Sequence, residues 1–211
     1  MEDKSAFDIL VETLESFGFK TESSSIYQPI IVTPSERFLS TKYVCCEITD
    51  SIYFFASDSY GTKAYTSSTF TGLYSSLETL KDIEYKVIKR DWFDVFNRKR
   101  RKTGIDHVDN NVTILSSGWI PYKELSIENI ELFLKINTLG YPFSLVIEDN
   151  YLSRIKPLKD KKIIAVETNE WVYEKEEVSS SSKSVERSFD HIFRVITPKI
   201  MRNIKFFGLY P

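Results

Sequence analysis

Hydrophobic positions near the start of the chain recur at helical spacing. Phe7, Leu10, Val11, Leu14 and Phe17 fall on one face, Ser5 stands where an N-cap belongs with Asp8 three residues on, and Gly18 supplies a stop. The pattern predicts a helix over 5–17. The period then changes. Runs at Ile26–Val32, Tyr43–Thr49, Ser51–Ala56, Lys63–Phe70 and Ile83–Arg90 are rich in Tyr, Phe, Val, Ile and Thr, and are broken by Pro34, Asp50, Asp58 and Gly61. They read as strands, with 41–90 forming an antiparallel meander. Alternation within Tyr43–Ile48 is imperfect, which leaves register open there.

The second half repeats this order. Ser126 is placed to cap a helix whose Ile127, Ile130, Phe133 and Leu134 share a face, with Leu139 near its end and Gly140 as its stop. Phe143–Glu148 and Lys162–Thr168 follow as strands, the second running on toward Trp171–Tyr173. The order helix, glycine, aromatic, strand thus occurs twice, at SFGFKTE and TLGYPFSLVIE. Both an internal duplication and ordinary α+β wiring produce that order. Glu174–Glu177 and Ser179–Ser182 read as a polar loop. A last helix is expected from Ser184 to about 197, burying Val185, Phe189, Ile192, Phe193 and Ile196, and the aromatic tail Met201–Pro211 is expected to pack on its own domain.

The expected fold class is therefore α+β: antiparallel sheet or sheets covered by three main helices near 5–17, 126–139 and 184–197, with two similar α+β halves left open. Residues 1–211 are read as a single compact domain, divisible into sub-lobes 1–97 and 103–211 around an exposed basic turn at 98–102.

Composition adds a few bounds. Hydrophobic residues at 42% are enough for a core without disulfides or a structural metal. With 28 basic and 30 acidic residues the chain as a whole is no dedicated polyanion binder, although a local basic patch remains open. Cys45 and Cys46 are adjacent, so on a strand they point to opposite faces and make a poor disulfide. Two cysteines are also too few for a zinc site, and they read as small apolar side chains in a reducing compartment. No leader pattern and no run of about 18 apolar residues is seen, so no transmembrane segment and a soluble, cytoplasmic protein are expected.

The densest charge lies within Asp91–Ser117. Arg98, Lys99, Arg100, Arg101 and Lys102 are consecutive, and Trp92, Phe93 and Phe96 precede them. Cations beside aromatics suit single-stranded nucleic acid, whose backbone follows the charge and whose bases stack on the rings. They suit an anionic membrane surface or an acidic partner equally well. Against this, Tyr85, Val87 and Ile88 followed by Trp92, Phe93 and Phe96 read as a strand and an anchoring turn; buried rings stack on nothing, and the basic run is then a solvated connection. The candidate binding residues are the five cations and Trp92.

Catalytic signatures are missing. The histidines follow aspartates, at Asp106–His107 and Asp190–His191, and a metal site would need the fold to bring them together with Asp106, Asp109 or Asp190, since no HExxH or HxH spacing exists. No metal is expected. Ser57, Ser59 and Ser116–Ser117 lie in no GxSxG elbow, and no Walker A or GxGxxG loop is present. Glu148–Asp149 and Glu176–Glu177 read as solvated charge. No catalytic residue is assigned and no cofactor is expected.

The order IKRDWFDVF, a basic loop, then KTG-x-D-x-x-D and a β-run resembles part of a family of uncharacterised bacterial domain-of-unknown-function proteins. Their midsection reads TG-(D/N)-x-x-F-D-(K/R)-x-F, and they often carry N-terminal membrane helices. The resemblance covers Val87–Ser117, and the element order up to about Glu148 is compatible with it. Val108 stands where that pattern has Phe, Asn110 replaces a cation, and the membrane helices are lacking, so the likeness is to the soluble portion. It implies a fold and a bacterial origin but no activity. Read structurally, Gly104 permits a left-handed turn, Asp106 or Asp109 bonds turn amides, and Val108 or Ile114 anchors the next strand.

Taken together, the residues point to a non-enzymatic binding or adaptor module acting through an unknown protein partner. The alternative is a peripheral polyanion binder, for nucleic acid or anionic lipid, using 98–102 with Lys89, Arg90 and Lys205. An enzyme comes third, and would need His107 or His191 to meet carboxylates in a cleft.

Overall fold

The computed structural model describes residues 5–26, 30–33, 36–38, 40–49, 51–60, 67–77, 84–116, 127–138, 142–150, 152 and 155–170. Helix α1 (Ala6–Ser16) begins as its sequence dictates. The Asp8 amide donates to Ser5 Oγ, the Ser5 amide donates back to Asp8 Oδ2 at 3.2 Å, and two otherwise orphaned donors are satisfied. It ends at Gly18, whose φ of +84° is a left-handed conformation that costs a glycine little.

The strands follow as β1 (Glu22–Ile26), β2 (Ile30–Thr33), β3 (Glu36–Phe38), β4 (Ser40–Thr49), β5 (Ile52–Tyr60), β6 (Ser67–Ser76) and β7 (Tyr85–Lys89). After a 3₁₀ turn at Trp92–Phe96 come β8 (Arg100–Arg101), α2 (Asp106–Asn111), β9 (Val112–Ser116) and α3 (Ile127–Asn137). β10 (Ser144–Asp149), a 3₁₀ turn at Lys156–Leu158 and β11 (Lys162–Thr168) complete the described elements. β2 and β3 pair as a separate ribbon; the other nine strands form one antiparallel sheet in the order β1-β4-β5-β6-β11-β10-β7-β9-β8.

The expectation of a sheet or sheets covered by three helices, in two similar halves, is overturned by this topology. β11 sits between β6 and β10, so one continuous sheet takes strands from both ends of the described chain. The physical reason lies in β11 itself. Ile163, Ile164, Ala165 and Val166 are all buried, and a strand apolar on both faces belongs in the middle of a sheet. The meander expected over 41–90 holds for β4–β5–β6, but β7 is separated from β6 by β11 and β10. Nor do the two helix–glycine–strand segments correspond: the strand after α1 is an edge strand, whereas the one after α3 is central. The third described helix is the six-residue α2. The helix expected at 184–197, the extension to Trp171–Tyr173, the polar loop at 174–182, the tail 201–211 and His191 lie outside the described residues.

Period-two alternation divides the buried side chains between the two faces. On one, Leu10 and Leu14 of α1, Val108 of α2 and Ile130, Phe133 and Ile136 of α3 pack with Val44, Phe54, Leu73, Val87, Ile114, Leu145 and Val166. On the other, Tyr43, Phe55, Phe70, Tyr74, Val146, Ile163 and Ala165 gather with Leu152, Ile155 and Leu158 from the segment joining β10 to β11. Among the described residues no helix is long and apolar enough to cross a membrane.

Candidate functional site

β7 and β9 are hydrogen-bonded neighbours, and the chain between them leaves the sheet and returns. The Arg90 amide donates to the Asn111 carbonyl at 3.0 Å and closes the base of this projection. Its first part is the 3₁₀ turn at Trp92–Phe96. Asp91 and Asp94 cap it reciprocally: the Phe93 amide donates to Asp91 Oδ1, and the Asp91 amide donates to Asp94 Oδ2 at 2.8 Å. With three residues per turn, Phe93 lies above Phe96 and Trp92 above Val95, so apolar side chains surround the turn and cannot all face the sheet.

None of them is buried. Trp92 is 68% exposed, Phe93 59%, Val95 58% and Phe96 77%. The anchoring turn that these rings suggest is not formed; Tyr85 and Val87 of β7 are buried without them. The rings of Trp92 and Phe93 lean on each other, with centroids 3.6 Å apart and planes 35° apart.

The basic run follows directly. Arg98, Lys99, Arg101 and Lys102 are exposed and Arg100 is half-buried. Arg100 and Arg101 form β8, paired with Leu115 and Ile114. The turn after them is organised by Asp109, which takes up the turn-binding role open to either Asp106 or Asp109. Its Oδ1 accepts from the Thr103 amide (2.8 Å) and hydroxyl (2.9 Å), and its Oδ2 accepts from the Gly104 amide (3.0 Å). Burial works to raise the pKa of this carboxyl, but those three hydrogen bonds and nearby Arg100 outweigh it and hold the group below the usual carboxylate range. Gly104 has a φ of +78°, which explains a glycine at that position.

The carbonyl of Asp109 draws in two cations. Arg90 Nη1 donates to it at 2.7 Å and Arg100 Nη2 at 3.3 Å, and Arg90 Nη1 also lies 3.4 Å from Asn110 Oδ1. Two guanidiniums are therefore held close together at the end of α2, flanking a cleft of about 440 Å³. Lys102, Asn97 and Val95 also line it, as do Asp106 and Asp109. Val95 connects the cleft to the exposed apolar turn. Chemically, the projection offers an apolar surface beside convergent cationic donors.

A second ionisable cluster spans the middle of the sheet, on the neighbouring strands β6, β11, β10 and β7. Lys86 Nζ lies 3.7 Å from Glu167 Oε1, and Tyr74 Oη donates to Glu167 Oε2 at 3.2 Å. Burial, and then the Glu167 charge, push the Glu148 carboxyl up to about 7; Lys86 opposes them, while Glu84 and Asp149 add smaller upward pushes. The reading of Glu148 as plain solvated charge misses this, since Glu167 meets it only through strand pairing. His107 is exposed on α2. No group of three or more metal-ligating side chains gathers among the described residues.

No protein-family model, no curated protein and no solved structure matches this chain.

Proposed function

We propose that the chain is a non-enzymatic binding module whose contact surface is the projection between β7 and β9, and that its partner is anionic. One observation carries this: four apolar side chains, Trp92, Phe93, Val95 and Phe96, stand exposed on a single turn, one residue before five consecutive cations. A contiguous apolar patch is unfavourable in water unless something covers it. Each cation held near an anionic surface contributes about 1 kcal/mol, so the run adds long-range attraction to short-range burial. The net charge of −2 does not oppose this, because a partner responds to the local field. Two free cysteines fit residence in a reducing compartment, the cytoplasm.

An acidic protein partner is the second reading, favoured by the presence of Trp and Arg in one patch, the side chains that dominate protein interfaces. The experiment compares the intact chain with a variant in which Arg98–Lys102 are all replaced by Gln. Affinity for a single-stranded oligonucleotide, heparin and anionic vesicles is measured across a salt titration. Binding to at least one of these that weakens with salt and is lost in the variant supports the polyanion reading. Equally weak, salt-insensitive binding by both proteins overturns it and leaves the protein-partner reading.

A further inference from the structure

We infer that the anionic partner is a lipid surface, with a headgroup phosphate seated in the cleft between Arg90, Arg100 and Lys102 while Trp92, Phe93 and Phe96 enter the bilayer interface. The inference rests on the reading above and names its partner class.

Three features favour lipid over nucleic acid. First, the apolar turn forms a wedge, poorly suited to serve as a set of stacking platforms. Val95 has no π-face, and the rings of Trp92 and Phe93 cover one another at 3.6 Å, where base-binding surfaces need ring faces free for successive bases. Aromatic and aliphatic side chains beside cations are the composition of an interfacial anchor.

Second, the turn satisfies four of its amides internally. The amides of Asp91 and Phe93 donate to Asp94 and Asp91 side chains, and those of Asp94 and Asn97 donate to the Asp91 and Asp94 carbonyls at 3.2 and 3.1 Å. Each amide paired in this way lowers the cost of bringing the turn into a low-dielectric layer. A nucleic-acid contact carries no such cost.

Third, cations and wedge share a wall. Val95 lines the same cleft as the guanidiniums, so a phosphate held there lies beside the apolar turn, as a headgroup lies beside its acyl chains. Each guanidinium carries five N–H donors, and one nitrogen of each is engaged on Asp109, which leaves the remaining donors to solvent or to a ligand. Asp106 and Asp109 set a limit. Asp109 is occupied by Thr103 and Gly104, and a cleft lined by Asp106 as well as cations suits one compact phosphate better than a long polyanion.

The test uses the full chain with vesicles of phosphatidylcholine, alone and with phosphatidylserine or phosphatidic acid, and with a single-stranded oligonucleotide and inorganic phosphate at constant ionic strength. The expected result is sedimentation with anionic vesicles, a blue shift in tryptophan emission that disappears in Trp92→Phe, and competition by inorganic phosphate. Trp92→Ala with Phe96→Ala should weaken vesicle binding at least tenfold, and Lys102→Gln about fivefold, the worth of one cation at an anionic surface. All three positions are exposed, so the fold tolerates these changes, and circular dichroism confirms it. Oligonucleotide binding without vesicle binding overturns the lipid assignment and leaves the polyanion reading standing. Phosphate binding without vesicle binding overturns it in the same way. Vesicle binding indifferent to phosphate and to Lys102→Gln overturns the cleft as the headgroup site. Binding to none of the probes overturns both.

Discussion

Tyr74 Oη lies 3.2 Å from Glu167 Oε2, and Glu167 is paired in register with Gly72, two residues before Tyr74 on its own strand. The tyrosine ring therefore lies along β6 over the glycine. A Cβ at position 72 would meet Tyr74 Oη at 2.7 Å and two ring carbons at 2.9 Å. We expect Gly72→Ala to destabilise the protein by about 1–3 kcal/mol, the usual cost of overpacking a core, because the ring is fully buried and has nowhere to move. Tyr74→Phe, which removes only the hydroxyl, should cost about 1–2 kcal/mol by taking one donor from a buried carboxylate. Urea denaturation of both variants checks this. A neutral Gly72→Ala would mean that the ring does not occupy that position.

Glu148 makes stability depend on pH in an unusual direction. Its carboxyl titrates near 7 in the fold against an ordinary value of 4.5, so the native state holds the proton more tightly than the unfolded chain does. That contribution is complete below about 4.5 and is lost as pH rises through about 7. Glu148→Gln should remove the dependence, making the variant more stable than the parent at pH 8 while the two converge near pH 4.5. The gain should be on the order of 1–2 kcal/mol, because the side chain is only half-buried and water screens its neighbours. Denaturation midpoints across this range decide it, and parallel curves for the two proteins would count against the assignment.

Both thiols should be slow to react. Cys45 and Cys46 are pushed up to about 12, first by burial and then by Glu22 and by the neighbouring cysteine respectively. Thiolate, not thiol, is the nucleophile, so alkylation at pH 8 should be at least tenfold slower in the folded protein than in denaturant, where both cysteines label freely. Rapid native labelling of either would contradict the burial of β4.

Asp109 is the brace of the projection. Asp109→Ala strands the Thr103 and Gly104 amides and should destabilise by about 1–3 kcal/mol. Because its carboxyl titrates below the usual range, its contribution is fully present above that range and is lost as the solution is acidified below it, through the lowered value. Amide hydrogen exchange at Thr103 and Gly104 should quicken in the variant; unchanged protection would show that the carboxylate does not hold the turn.

Much of the local structure was legible along the chain. The Ser5–Asp8 box and the apolar face of Leu10 and Leu14 mark α1, and the span of β11 coincides with its apolar run. Sheet order was not legible, because strand pairing joins residues far apart; the clue was the unbroken burial potential of Ile163–Val166, which marks a central strand. The site was half-legible. Five consecutive cations stand out in any reading, but Trp92, Phe93 and Phe96 resemble core residues, and the signal that they encircle a short capped turn is the spacing of Asp91 and Asp94. The meeting of Arg90 with Asp109, nineteen residues on, depends wholly on β7 and β9 being neighbours.

Arg100 and Arg101 make up the whole of β8, the outermost strand on that side of the sheet among the described residues. Two residues offer an approaching strand almost no ladder to extend, and their charge repels the same edge of another molecule. However densely such molecules gather, that border resists zipping into fibres, so a segment rich in β-structure can crowd at high local concentration and remain a population of separate units.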